Sequence, residues 1–245
     1  MNRMFLTAVT GIAMATLLLT AGIAGAQGLT AQLDPSGMIT VARGTTPLAM
    51  IELNAHGPGW AHAAQETATA EVSPLPDGGR QFVGTLPIPG TEGAIAYTQT
   101  VTPLPQGMHI AYDLTMNGAL KLNGLQFSVN LPVATHAGKE ILISQPGGDP
   151  QISALPQERK ETSAQVWSGQ GAKIEIASGT PDAVTIEVRA ATDVMIQDLR
   201  QWQNEVYEVR LPAIMQDPGR EMTADDRFHL DVTITFAAPV SLQGP

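Results

Sequence analysis

What most constrains this chain is a strict two-residue alternation of apolar and polar side chains, repeated many times along its length. It is cleanest near the C-terminus. Phe228, Leu230, Val232, Ile234 and Phe236 fall on one face of an extended strand, with Arg227, His229, Asp231, Thr233 and Thr235 on the other. A strand with one buried and one wet face reads this way, and a helix does not. The same pattern places Met108, Ile110, Tyr112, Leu114 and Met116 opposite His109, Ala111, Asp113 and Thr115. Leu125, Phe127, Val129 and Leu131 stand opposite Gln126, Ser128 and Asn130. Val184, Ile186 and Val188 alternate with Thr185 and Glu187, and Tyr207, Val209 and Leu211 with Glu208 and Arg210. Further strands are expected over 38–42, 48–54, 67–72, 81–87, 94–101, 140–144, 164–167, 173–177 and 194–199.

Turn residues separate these runs: Pro76-Asp77-Gly78-Gly79, Pro105-Gln106-Gly107, Asn117-Gly118, Gly147-Gly148-Asp149-Pro150 and Asp217-Pro218-Gly219. Asn117-Gly118 predicts a tight hairpin, since both residues tolerate the positive φ that its turn requires. The charged stretch 156–163 lacks an apolar face and reads as an exposed loop. So many short strands at this spacing predict an all-β fold of two stacked antiparallel sheets, a large β-sandwich.

The chain begins with a different grammar. Arg3 precedes an uncharged, mostly apolar run from Met4 to Ile23, and Ala24-Gly25-Ala26 matches a signal-peptidase cut. Residues 1–26 therefore read as a signal peptide and 27–245 as a single β-sandwich domain, with no membrane insertion after cleavage. There is no cysteine, so an exported domain of this kind depends on its core alone. The expected location is the periplasm or the exterior of a bacterium. A formal charge of -10 repels nucleic acid and anionic lipid, so no nucleic-acid partner is expected.

A run such as Phe82-Val83-Gly84-Thr85-Leu86, then Ile95-Ala96-Tyr97-Thr98-Gln99, then Ile110-Ala111-Tyr112-Asp113-Leu114 resembles the large β-sandwiches of the galactose mutarotase-like type. Leu131-Pro132, Gly138-Lys139 and Asp198-Leu199-Arg200-Gln201-Trp202 continue the resemblance, which spans roughly 37–236. It implies the supersandwich fold and an association with glycans. Mutarotases use a His pair and a late catalytic Glu, and the sequence does not place that set in matching surroundings.

Candidate ligand-binding residues are Trp60, His109, Asp113, Glu187, Arg189, Arg210, His229 and Asp231. His109 and Asp113 share one strand face, His229 and Asp231 another. If their strands are in one sheet, they join Glu187, Arg189 and Arg210 in a polar surface suited to sugar hydroxyls. Trp60 lies in His56-Gly57-Pro58-Gly59-Trp60-Ala61-His62, where it is placed to stack a sugar ring. A metal at these two His needs a third ligand that nothing nearby supplies, so no metal and no cofactor is expected. Asp198 and Arg200 read as a structural pair at a strand end.

No G-x-S-x-G elbow, H-E-x-x-H, P-loop or G-x-G-x-x-G occurs. The expectation is an exported non-catalytic module that binds a glycan or an envelope protein. A glycan-active enzyme using carboxylates and His, and a structural envelope protein, are the alternatives. With three Trp, three Tyr and five Phe, a sugar site must rely on hydrogen bonds and one or two stacking rings.

Overall fold

A computed structural model of the protein describes residues 28–245; the expected signal peptide lies outside the described residues. The chain opens with β1 (Leu29–Leu33), β2 (Ile39–Arg43), β3 (Thr46–His56), β4 (His62–Ala64), β5 (Thr69–Pro74) and β6 (Arg80–Pro87). The long strands β7 (Ala94–Leu104), β8 (Gly107–Asn117) and β9 (Leu120–Pro132) follow, then a single helical turn α1 (Val133–His136). Next come β10 (Glu140–Ser144), β11 (Gln151–Ala154), β12 (Gln165–Ile176), β13 (Val184–Asp198), β14 (Val206–Met222), β15 (Arg227–Phe236) and β16 (Val240–Gln243).

The all-β class is as expected, and the alternation explains the core. Met108, Ile110, Tyr112, Leu114 and Met116 of β8 are all buried, while His109, Ala111, Asp113 and Thr115 face outward. The expected two separate sheets are instead one curled, mixed sheet with two facing limbs. One limb runs β16-β1-β2-β3-β9-β14-β13 and the other β13-β15-β8-β7-β6-β5. They join through β13, whose early part (184–188) pairs with β15 and whose late part (195–198) pairs with β14. β12 pairs along the opposite edge of both parts and so ties them together. The pairings are antiparallel except β1–β16, which is parallel.

Asn117-Gly118 does not close a hairpin. β8 pairs with β7 and β15, whereas β9 pairs with β3 and β14. Gly118 takes φ 87°, as the turn chemistry requires, but the turn carries the chain from one limb to the other. The tight hairpin lies one turn earlier, at Pro105-Gln106, between β7 and β8.

The limbs are held face to face by apolar packing and one buried polar knot. Tyr112 of β8 meets Phe127 of β9 with ring centroids 6.3 Å apart. Gln65 is fully buried between them. Its Oε1 accepts from Leu53 N and Tyr112 Oη, both at 2.8 Å, and its Nε2 donates to Ser36 O and Gln99 Oε1. Every polar atom of that amide is satisfied, as burial demands.

Candidate ligand-binding cleft

β9 carries the site. Its apolar side chains Leu125, Phe127, Val129 and Leu131 face the core, and the opposite face should be wet by the usual rule. It is not: Gln126 and Ser128 are fully buried and Asn130 is 4% exposed. β3 and β14 flank β9, and strand register sets their polar side chains in rows across it. Glu52, Ser128, Arg210 and Met195 form one row; Asn130, Glu208 and Gln197 form the next. Asn54 stands opposite Gln126, and His56 and Met215 flank Gly124 from either side. The side chains enclose a cleft of about 710 Å³, within the size range of small-molecule sites.

Each end of the cleft has a tryptophan on a short 3-10 turn. At the Gly124 end, Pro58–Trp60 crosses the sheet. The Trp60 ring stands edge-on to His56 at 5.7 Å, and Trp60 holds φ 63°, a conformation rarely adopted by a bulky residue. At the Leu131 end, Leu199–Trp202 forms the rim. Asp198 caps this turn through Arg200 N and pairs with the Arg200 guanidinium at 2.7 Å. Arg200 also donates to the carbonyls of Pro156 and Gln157 and lies over the Tyr207 ring at 5.4 Å. The Asp198–Arg200 pair is structural, as the sequence predicts, and it fixes the turn that bears Trp202.

The charged groups inside the cleft are held by neighbouring side chains. Glu208 accepts from Ser128 Oγ and from Arg210 Nε, each at 2.6 Å. Glu52 accepts from Asn130 Nδ2 at 2.7 Å. Burial pushes the Glu52 carboxyl up to about 7, opposed by hydrogen bonding from Asn54 and reinforced by the Glu208 charge. Burial, with the neighbouring His62 and Arg210, drives His56 down to about 4. Burial also lowers His62, whose Nε2–H donates to Asn54 Oδ1 at 2.9 Å. Both imidazoles are therefore neutral at pH 7.

Several buried polar atoms in the cleft make no well-formed hydrogen bond within the protein: Asn130 Oδ1, Gln197 Oε1, and the Gln126 amide and His56 Nδ1, which lie side by side. Such groups are rare in folded proteins and each costs about 1–3 kcal/mol. Their residues line one cleft, so its walls carry hydrogen-bonding capacity that the protein itself leaves unused.

The eight candidates from the sequence divide between two faces. Trp60 and Arg210 line this cleft. His109, Asp113, His229 and Asp231 lie on the outer face of the other limb, where β8 and β15 do pair. There His109 bonds Asp231 and His229 bonds Asp113, both at 2.8 Å. Glu187 faces Lys173, and Arg189 is exposed just beyond the β13–β15 pairing. A second depression, about 660 Å³, lies beside Asp113 and is rimmed by Thr69, Thr85, Thr98 and Thr115. None of its lining side chains has a buried unpartnered atom. Among the described residues no cluster of three or more His, Asp or Glu is placed to hold a metal.

Glu52, Asn54, Gln126, Asn130, Gln197, Glu208 and Trp202 escape the sequence reading, as do His56 and His62 once metal binding is set aside. One signal was available. The polar face of β9 holds only Gln, Ser and Asn, whereas the solvated face of β15 holds Arg, His, Asp and Thr. Uncharged hydrogen-bonding side chains without a single Lys, Arg, Asp or Glu suit a covered face better than an open one.

No protein-family model matches the sequence, and no curated protein matches it either. Among solved structures the chain is similar to a galactose mutarotase-like protein from Lactobacillus casei. The TM-score is 0.49 at 11% identity, covering 85% of this chain and 99% of that one. It is also similar to a galactose mutarotase related enzyme from Lactobacillus acidophilus, with TM-score 0.46, 9% identity and coverage of 86% and 98%. A 4-alpha-glucanotransferase from Thermococcus litoralis gives TM-score 0.43 at 11% identity, covering 80% of this chain and 28% of that one. Fold and site together define an all-β protein with a buried polar cleft on the outer face of one sheet limb.

Proposed function

We propose that this protein binds a carbohydrate in the cleft between Trp60 and Trp202, as an exported, non-catalytic module of a bacterial envelope. The observation that carries the reading is the set of buried, unpartnered amide and imidazole atoms on Gln126, Asn130, Gln197 and His56. Amides offer a donor and an acceptor side by side, which suits adjacent hydroxyls. The exposed apolar side chains agree with it. Among the described residues, Trp60, Trp202 and Met215 are three of the five large exposed ones, and all three line this cleft. Val83 and Ile152 stand elsewhere, so the exposed apolar surface favours a ligand cleft over a broad protein-docking patch. Export rests on the signal-like segment 1–26.

A second reading, a glycan-active enzyme, has one observation in its favour. A carboxyl held near 7, as at Glu52, is poised to give or take a proton at neutral pH. A thermal-shift screen of the purified protein against oligosaccharides tests binding, since a native-state ligand raises Tm by mass action. No shift across a broad panel at tens of millimolar sinks the carbohydrate reading. NMR of the incubated sugars then separates the two: an unchanged sugar supports the module, and turnover lost in Glu52→Gln supports the enzyme.

A further inference from the structure

We infer that the cleft takes an uncharged oligosaccharide lying along β9, with its two ends against Trp60 and Trp202, and not a single sugar ring. This rests on the carbohydrate reading above.

The length comes from strand register. Trp60 belongs to the row of His56 and Gly124, since its ring contacts His56 directly. Trp202 belongs to the turn that follows Asp198, which pairs with Tyr207 and through it with Leu131. From Gly124 to Leu131 the backbone of β9 advances about 23 Å at a strand's rise per residue. One pyranose ring covers a fraction of that span. A single ring stacked on either tryptophan leaves the other unused, 38% exposed at Trp60 or 60% at Trp202. The unpartnered atoms are distributed in the same way. His56 Nδ1 lies at the Trp60 end, both Gln126 amide atoms in the middle, and Asn130 Oδ1 and Gln197 Oε1 toward Trp202. A ligand that engages all the residues bearing them has to extend along the strand.

The charge class follows from the ion pairs. Arg210 is the cation lining the cleft, and its Nε is held by Glu208 at 2.6 Å. Arg200, at the rim, is engaged by Asp198 and by two backbone carbonyls. Among the described residues no free cation faces the cleft to receive a uronate or phosphate, while Glu52 and Glu208 repel one.

The test is titration calorimetry of the purified protein with gluco-, galacto-, manno-, xylo- and chito-oligosaccharides of one to six units, and with oligogalacturonates. The expected result is one neutral series whose affinity rises at least about tenfold from one unit to four and then levels off. Trp60→Ala and Trp202→Ala should each lower tetramer affinity about tenfold, as loss of one stacking ring does, with an unchanged circular dichroism spectrum. A monosaccharide bound as tightly as its tetramer overturns the extended ligand while leaving carbohydrate binding intact. So does a tryptophan substitution without effect. Preference for oligogalacturonate overturns the uncharged class. No response to any series overturns the carbohydrate reading itself.

Discussion

Replacing Glu52 by Gln should make the protein more stable, and increasingly so as pH rises. The Glu52 carboxyl is 6% exposed and burial holds it at about 7 against 4.5 in the unfolded chain. A raised carboxyl pKa means that the native state binds the proton more tightly. Stability is then fully present below pH 4.5 and is lost as pH rises through 7. A shift of this size corresponds to about 3 kcal/mol. His56, held at about 4 against 6.5, acts in the opposite sense: its contribution is present above pH 6.5 and lost as pH falls toward 4. The two nearly cancel between pH 4.5 and 6.5, so the unmodified protein should show a flat profile there from this pair. Glu52→Gln keeps an acceptor for Asn130 Nδ2 and removes only the titration, exposing the His56 slope. The measurement is urea unfolding of both proteins at pH 4, 5, 6, 7 and 8, compared as differences. The variant should gain about 3 kcal/mol relative to the parent between pH 4 and pH 8. A difference that stays flat to about 0.5 kcal/mol, or that falls with pH, refutes the claim that Glu52 is buried at an energetic cost.

Three other substitutions probe the frame around the cleft. Gln65→Leu leaves Leu53 N–H, Tyr112 O–H and Gln99 Oε1 without a partner in the core, while Ser36 O keeps Tyr97 O–H, and should cost at least about 3 kcal/mol in urea unfolding; a loss under about 1 kcal/mol would refute this role for Gln65. Gly84→Ala puts a methyl 2.4 Å from Tyr97 Cζ and should cost about 1–3 kcal/mol through overpacking, read as a lower Tm; an unchanged Tm would show that Tyr97 moves freely. His229→Ala breaks exposed pairs with Asp113 and Asp231, and should change stability by less than about 0.5 kcal/mol and leave oligosaccharide affinity unaltered; a loss of binding would move the site to that face.

The fold was legible because burial follows alternation wherever only one face of a strand is covered. β8 and β15 show this directly: the residues on their predicted inner faces pack inward. The continuity between limbs was not legible. It depends on β13 changing partners midway, from β15 to β14, a property of register that no local pattern records. The same gap misassigned Asn117-Gly118, whose turn chemistry is real but whose flanking strands belong to different limbs. Trp60 and Arg210 could be picked from the sequence because one sits in an unusual loop and the other on an alternating strand. Glu52 could not, since it looks like an ordinary outward residue until the 3-10 turns cover β9 and β14 beside it, and Gln126 was marked only by the uncharged run of its strand face.

The two outer faces therefore offer a physical criterion for telling a binding surface from a solvated one. On the β8–β15 face, charge is met by charge within the protein: His109 with Asp231, His229 with Asp113, and nearby Lys173 with Glu175 and Glu187. These pairs are open to water and weak, and nothing on them is left wanting. On the β3–β9–β14 face Glu208 is paired with Arg210 and Glu52 is held by hydrogen bonds alone, and the amides and one imidazole between them are buried without well-formed hydrogen bonds. Water wets an open face at no cost in specificity, whereas atoms of this kind reward a partner only where donors and acceptors arrive in the right order. A polar sheet face is the default in an antiparallel protein. A buried polar face whose neutral groups lack partners is a departure from it, and here that departure coincides with both exposed tryptophans. The unmet hydrogen-bonding capacity, more than the number of titratable residues, singles out the cleft.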